Sequence, residues 1–207
     1  MASDARTKWL TNASGEHEIE HILSLDSSDP TLAQYQAAFD ASTKIIVNPN
    51  RHCVDATNAG AKVATGDILI YLSDDFDCPL NWDLLLAGIA ATTAKSEYLI
   101  WVDDGGQGRN TVITIPIMSR ALYEALGYLY HHDYPSMWVD VDLWHVCNLR
   151  RCLIDAKQLL FKHNHWSVNR QRDATDNNHD SPEKNRIGLE IFNRRKAQGF
   201  KTNGQYK

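Results

Sequence analysis

Several things are missing from this sequence, and each absence excludes a class of protein. No apolar run approaches the roughly 20 residues of a membrane-spanning helix; Leu84 to Ala91 is among the longest. No charged n-region followed by an apolar h-region opens the chain, so a secreted protein is not expected. The four cysteines, Cys53, Cys78, Cys147 and Cys152, contain no C-x-x-C pair, and reduced thiols in a cytoplasmic setting are the plain expectation. Cys147 and Cys152, beside His145, offer zinc as one reading, but buried apolar cysteines on a helix are the preferred one. A basic excess is absent too: 21 Lys and Arg face 26 Asp and Glu, for a net charge of -5. That balance argues against a grip along a nucleic-acid duplex, though not against a local basic patch.

What is present is ordinary for a globular chain. With 207 residues, 43% hydrophobic and 23% charged, the composition fits one domain, or one domain with an extension. The most informative stretch is I-L-I-Y-L-S-D-D-F-D-C-P-L-N-W, Ile68 to Trp82. A β-type apolar run enters three carboxylates, Asp74, Asp75 and Asp77. Clustered acids at the end of a buried strand repel one another unless a positive group sits among them. A divalent cation is the usual remedy, and hard oxygen ligands suit Mn2+ or Mg2+. The competing reading is a polar loop with an Asp cap for the next helix, although a cap needs one acid and not three.

Strand and helix patterns alternate along the chain. Ile19–Leu25 reads as a strand closed by D-S-S-D-P, and Thr31–Ala41 as a helix with Pro30 at its start. Lys44–Val47 is a short β-branched run, and Val54–Ala64 an Ala-rich helix stopped at Thr65-Gly66. Ile68–Leu72 is the strand before the acids; Asn81–Ala94 is helical, with Trp82, Leu85, Leu86 and Ile89 at helical spacing. Tyr98–Val102 and Thr111–Ile115 read as strands around D-D-G-G-Q-G-R-N. Ser119 caps a helix to about Leu126, W-V-D-V-D-L-W leads into another to about Arg150, and Leu159–Phe161 is a last short strand. Residues 169–181 are polar and loop-like, Pro182–Gln198 is a closing helix, and the tail is expected to fray. Such alternation predicts an α/β sheet with ligands at the carboxyl ends of its strands, where the three acids lie.

The order of these pieces resembles the GT-A fold glycosyltransferases, closest to the inverting family 2 type that uses nucleotide-diphosphate sugars. The likeness rests on I-L-S-L-D with S-S-D-P, then on N-A-G-A-K-V-A-T-G-D-I-L-I-Y-L-S-D-D, which is similar to the family's N-x-G-x-x-x-A-x-G-D helix, strand and DxD-type segment. W-V-D-V-D-L-W follows at the place of the acceptor-site motif, and H-N-H-W at the place of a metal-binding histidine. It covers roughly residues 19–166. The resemblance implies a GT-A-like (Rossmann-like) mixed, mainly parallel sheet flanked by helices, without the family's usual first strand. The implied organisation is a catalytic domain over residues 1–168, with a nucleotide-sugar half at about 19–80 and an acceptor half at about 96–166. A polar loop, closing helix and flexible tail at 169–207 follow. Two departures stand out: the missing first strand with its nucleotide-contacting loop, and Val139 where the acceptor motif carries Glu.

The resemblance also assigns roles. Asp75 would bind Mn2+ or Mg2+ directly and Asp74 would meet the ribose or a metal-bound water; Asp77 is a third ligand, a supporting acid, or a turn residue before Pro79. His163 and His165 lie two apart and share a face if extended; one imidazole would complete the metal site, with the resemblance favouring His165, against a reading as polar loop histidines. Asp140 is the favoured general base, and Asp142 an alternative base, an acceptor contact or a helix cap. Asp26 would reach the uracil or ribose, or simply form an Asx-turn. Asn58 and Lys62, four apart on one helical face, would point at the nucleotide. Arg170 and Arg172 would grip the diphosphate, or remain solvated, and Trp138, Trp144 and Trp166 would stack on a sugar or pack in the core. Asp103, Asp104 and the glycines after them would form an acceptor-side loop. His131 and His132 receive no role. The implied partners are a nucleotide-diphosphate sugar, UDP-linked by preference, and a glycan, lipid-linked, protein or modified-nucleobase acceptor. Competing functions are a nucleotidyltransferase, whose glycine-rich Arg/Lys signature is not visible, and a non-catalytic nucleotide- or glycan-binding module.

Overall fold

The computed structural model of the chain describes residues 2–106, 112–164 and 181–201. Helix α1 (Ala2–Thr11) comes first, followed by β1 (His21–Asp26), α2 (Leu32–Ala38), β2 (Thr43–Asn48), α3 (Cys53–Val63) and β3 (Ile68–Ile70). The second half runs α4 (Trp82–Thr92), β4 (Leu99–Asp103), β5 (Ile117–Ser119), α5 (Arg120–Leu126), α6 (Val139–Leu149), β6 (Leu153–Leu160) and α7 (Pro182–Ala197). The helix starts obey local chemistry. Ser119 Oγ accepts from Leu122 N at 3.1 Å to cap α5, and Ser181 Oγ accepts from Lys184 N at 3.3 Å ahead of Pro182 in α7. Gly127 ends α5 at φ 77°, the left-handed position that glycine adopts without a Cβ penalty.

The strands form two sheets. β1 and β2 pair in parallel, His21 opposite Thr43 through Asp26 opposite Asn48. The other sheet has the order β3-β5-β4-β6. Its long ladder, β4 with β6, is parallel, while the short pairings of β5 with β3 and β4 are antiparallel. This is the expected mixed α/β arrangement with its longer ladders parallel. Successive residues of β4 point to opposite faces: Leu99 joins a core built from α5, α6 and α7, and Ile100 and Val102 join one built around Trp9, Trp82, Leu86 and Phe161. Both faces of the sheet are therefore covered.

Two strand expectations shift. Over residues 112–115 the chain is not a strand, and the strand falls instead at Ile117–Ser119. There the Ile113 carbonyl accepts a hydrogen bond from Tyr130 Oη at 3.1 Å instead of joining a ladder. The expected Leu159–Phe161 strand is the end of the eight-residue β6, whose exposed edge carries Asp155 and Lys157 and so conceals the pattern. Near its end the β4–β6 register shifts between Val102 and Asp103. That shift delivers Asp103, Asp104 and residues 161–164 to the end of β3.

Candidate active site

The loop after β3 is fastened to the segment after β6. Asp77 N donates to Lys162 O at 2.8 Å, and Asn164 donates to Asp75 O from its backbone N at 2.9 Å and from Nδ2 at 3.2 Å. His163 N donates to Asp104 O at 2.9 Å, and the His163 ring stacks on Phe76 with centroids 4.0 Å apart. From the other side, Trp9 Nε1 donates to Phe76 O at 3.0 Å. The acid-bearing loop is thus held on both flanks by residues distant in sequence.

Within that frame His163 Nε2 lies 3.0 Å from Asp75 Oδ2. The other carboxylate oxygen, Asp75 Oδ1, is buried and has no hydrogen-bond partner among the described residues. Burial pushes the Asp75 carboxyl up, but hydrogen bonds from His163 and Ser73 outweigh it and hold the group below its ordinary value. A buried anionic oxygen without a donor is costly, and a cation beside it removes the cost. Asp75 and His163 pair a carboxylate with an imidazole, donors that Mn2+ or Mg2+ accepts; the exposed Asp74 does not gather with them into a three-ligand cluster within 4.8 Å. His165, the histidine favoured from the sequence, and Arg170, Arg172 and Trp166 lie outside the described residues.

Several expected site residues are engaged elsewhere. Asp77 forms an ion pair with Lys8 of α1; burial pushes its carboxyl up, and the hydrogen bonds from Lys8 and Asn164 bring it below the usual range. Lys8 is therefore one of the positive groups that the acid cluster demanded, and Asp77 faces it rather than joining Asp75. Asp26 accepts from Ser28 N at 2.7 Å and Ser28 Oγ at 2.8 Å, closing an Asx-turn at the end of β1. Asn58 accepts from Leu129 N and Tyr130 N and donates to Tyr130 O at 2.7 Å, so its amide holds a loop instead of presenting to a nucleotide. Lys62 is exposed on α3. Asp104 is buried, accepting from Thr114 Oγ1 at 2.7 Å and Gly106 N at 2.8 Å, which makes it a structural anchor.

The two acids of W-V-D-V-D-L-W part company because the segment is helical. Trp138, with φ 74°, turns the chain into α6, and the carboxylates at its second and fourth positions then point in different directions. Asp142 is buried, with Oδ2 accepting from Arg195 Nε at 2.6 Å and Tyr134 Oη at 2.9 Å, and Oδ1 from Arg195 Nη2 at 3.1 Å. All this removes it from any acceptor role and makes it the anchor of α7. Asp140 remains partly exposed. Burial, and next the charge of Asp104, push its carboxyl above the ordinary value, offset in part by its hydrogen bond from Val141 N at 2.8 Å. A half-buried carboxylate with raised proton affinity is suited to accept a proton.

Two tyrosines that sequence reasoning did not single out join the acids. The rings of Tyr71 and Tyr130 meet edge to face at 5.5 Å. Burial raises both hydroxyls, with Asp75 contributing at Tyr71 and Asp140 at Tyr130. Tyr71 therefore lies in the field of the Asp75 end and Tyr130 in that of the Asp140 end. The one available signal was Tyr71 itself, a polar-tipped residue in the apolar run directly before the acids. The tryptophans pack: Trp138 Nε1 donates to Asn185 Oδ1 at 2.7 Å, and Trp144 lies 6.1 Å from Trp101.

The glycosyl transferase family 2 model matches residues 10–151. The chain belongs to glycosyl transferase family 2. No individual curated protein matches it. The family match spans Asp75 and Asp140, and the mixed α/β fold agrees with it. Membership establishes glycosyl transfer as the general chemistry, with a nucleotide-sugar donor and an acceptor as its general partners. Among the described residues no helix is long and apolar enough to cross a membrane.

One further group could offer metal ligands: atoms of His131, His132 and Asp133 all lie within 4.8 Å of one another. The surroundings oppose a cation there. Arg194 Nη2 is 2.8 Å from Asp133 Oδ2, so a guanidinium already meets the carboxylate that the cation would need.

Proposed function

We propose that this family 2 protein is a divalent-cation-dependent, inverting glycosyltransferase that moves a sugar from a nucleotide-diphosphate donor, by preference UDP-linked, to an acceptor hydroxyl. The observation that carries the reading is the buried, partnerless Asp75 Oδ1 beside His163 at the carboxyl end of β3. Asp75 and His163 would hold Mn2+ or Mg2+, with Asp74 on the nucleotide side. When bound, the cation supplies charge stabilisation to the departing diphosphate. The protein's own share is positioning and proton transfer. Asp140 accepts the proton of the acceptor hydroxyl as its oxygen attacks the anomeric carbon from the face opposite the leaving group, which inverts the configuration. Tyr71 and Tyr130 pack in the core between the Asp75 and Asp140 ends and hold the two in place. Candidate acceptors are a glycan, a lipid-linked sugar, a protein or a modified nucleobase.

Thermal unfolding with UDP, GDP or CDP in the presence of Mn2+ or Mg2+ tests the donor side. A cation-dependent rise with one nucleotide is expected, since a ligand that binds only the native state stabilises it. No response to any nucleotide with either ion would sink the proposal. Hydrolysis of UDP-glucose compared with UDP-N-acetylglucosamine then narrows the sugar.

A further inference from the structure

Two segments distant in sequence carry Asp75 and His163, and one buried side chain touches both. The indole of Trp9 is 4% exposed. Its Nε1 donates to Phe76 O at 3.0 Å, one residue after Asp75. Its ring also lies against Phe161, two residues before His163, with centroids 5.8 Å apart. Between those contacts the segments meet as an isolated antiparallel bridge, Phe76 opposite His163, and the two rings stack at an interplanar angle of 13°. A pairing that short has no adjoining pairs to hold its register, so support must come from outside it. The end of α1 supplies that support. Asn12 Nδ2 donates to Cys78 O at 3.0 Å, Asn81 N donates to Asn12 O at 2.6 Å, and Lys8 pairs with Asp77. Trp9 is itself held, since Trp82 Nε1 donates to Trp9 O at 2.8 Å and the two indoles meet edge to face at 5.1 Å.

We propose that Trp9 is a positioning residue of the cation site and that the end of α1 acts as its splint. Trp9 touches neither cation nor substrate. It fixes the Phe76 carbonyl and, through the Phe76 ring, the plane of the His163 imidazole, so that His163 Nε2 stays 3.0 Å from Asp75 Oδ2. A carboxylate and an imidazole bind one cation well only when neighbouring groups hold them at the productive spacing before it arrives. Supporting groups of this kind typically tune metal affinity by roughly 10–100-fold. A residue that served the core alone would behave differently: its loss would lower stability and leave the cation affinity of the folded chain unchanged. Of the splint's contacts the Lys8–Asp77 pair is the weaker, because both side chains are partly exposed. The consequence for cation affinity rests on the reading of Asp75 and His163 given above, whereas the positioning itself can be measured without a cation.

Trp9→Phe removes the indole N–H and keeps an aromatic ring in the core. Leu86→Val is the matched control, since Leu86 is 1% exposed in the same apolar cluster, midway along α4. Hydrogen exchange read by mass spectrometry on the full 207-residue chain without cation comes first. Trp9→Phe should quicken exchange at Asp77 and Asn164, whose amides cross the junction, and Leu86→Val should not. Titration with Mn2+ alone follows, the free ion read by electron paramagnetic resonance, with Asp75→Ala as the blank. Trp9→Phe should bind Mn2+ roughly 10–100-fold more weakly than the parent, while Leu86→Val binds as the parent does. Asn12→Ala, which gives up the bond to Cys78 O, should change both readouts less and in the same direction, and it carries the test if Trp9→Phe does not fold. Unchanged exchange at the junction, an equal loss of affinity in Leu86→Val, or parental affinity in Trp9→Phe beside a loss in Asp75→Ala overturns the positioning role and leaves the cation reading standing. Mn2+ binding that survives Asp75→Ala overturns the cation reading, and this role with it.

Discussion

Replacing Asp140 by Asn should separate catalysis from stability in opposite directions. Asn keeps the size of the side chain and an oxygen able to accept from Val141 N, but removes the charge and the proton-accepting capacity. General-base catalysis contributes roughly 10²–10⁴-fold, or about 2.7–5.4 kcal/mol of transition-state stabilisation at about 1.36 kcal/mol per decade. Turnover of the sugar nucleotide with acceptor should fall by that factor while cation-dependent nucleotide binding persists. Stability should move the other way. Burial, then the charge of Asp104, hold the Asp140 carboxyl above its ordinary value, so the folded chain binds that proton more tightly than the unfolded chain. Stability therefore falls as pH rises through the raised pKa, and the penalty is complete above it. The variant should melt higher than the parent at neutral pH, with the gap closing toward acid. The parent's rate should climb over the same pH range as the base loses its proton. An Asn variant with full activity refutes the base assignment. One that melts lower at neutral pH refutes the electrostatic reasoning.

Further outcomes follow from other contacts. Asp75→Ala should abolish the cation-dependent nucleotide shift, which for the parent reaches about 2.7 kcal/mol at a ligand concentration of 100 Kd; a retained shift would place the cation elsewhere. Asp77→Asn should keep that shift and change urea stability by no more than about 1 kcal/mol, since its pair with Lys8 is partly exposed. Asp142→Ala leaves the buried Arg195 guanidinium uncompensated and should lower unfolding free energy by about 3–5 kcal/mol, whereas Asp142→Leu combined with Arg195→Met should recover most of that loss. At Gly188 an added Cβ would sit 2.4 Å from the Met137 carbonyl oxygen. Gly188→Ala should therefore push α7 off α6, lowering stability by about 1–3 kcal/mol in denaturant titration.

Much of this protein was legible along the chain because local chemistry decides it. Apolar periodicity placed most helices and strands, Ser119 marked the start of α5, and the run from Asn58 through Asp75 carried the family likeness that the match over residues 10–151 bears out. The charge crowding of Asp74, Asp75 and Asp77 was equally plain, as was the need for positive company. Which groups answer it was not, because Lys8 and His163 stand far away in sequence and reach the loop only through Trp9 and the end of β6. The same limit applied to Asp140 and Asp142. Their spacing left open whether they share a face, and only the helical backbone after Trp138 sends Asp142 onto Arg195 and leaves Asp140 half-buried beside Asp104. Asn58 and Asp26 looked available because nothing local shows that a distant loop or the next turn will use their oxygens. Covalent neighbours and periodicity fix the elements. The partners of each charged group are fixed by long-range packing, and that packing decides which acids remain free for chemistry.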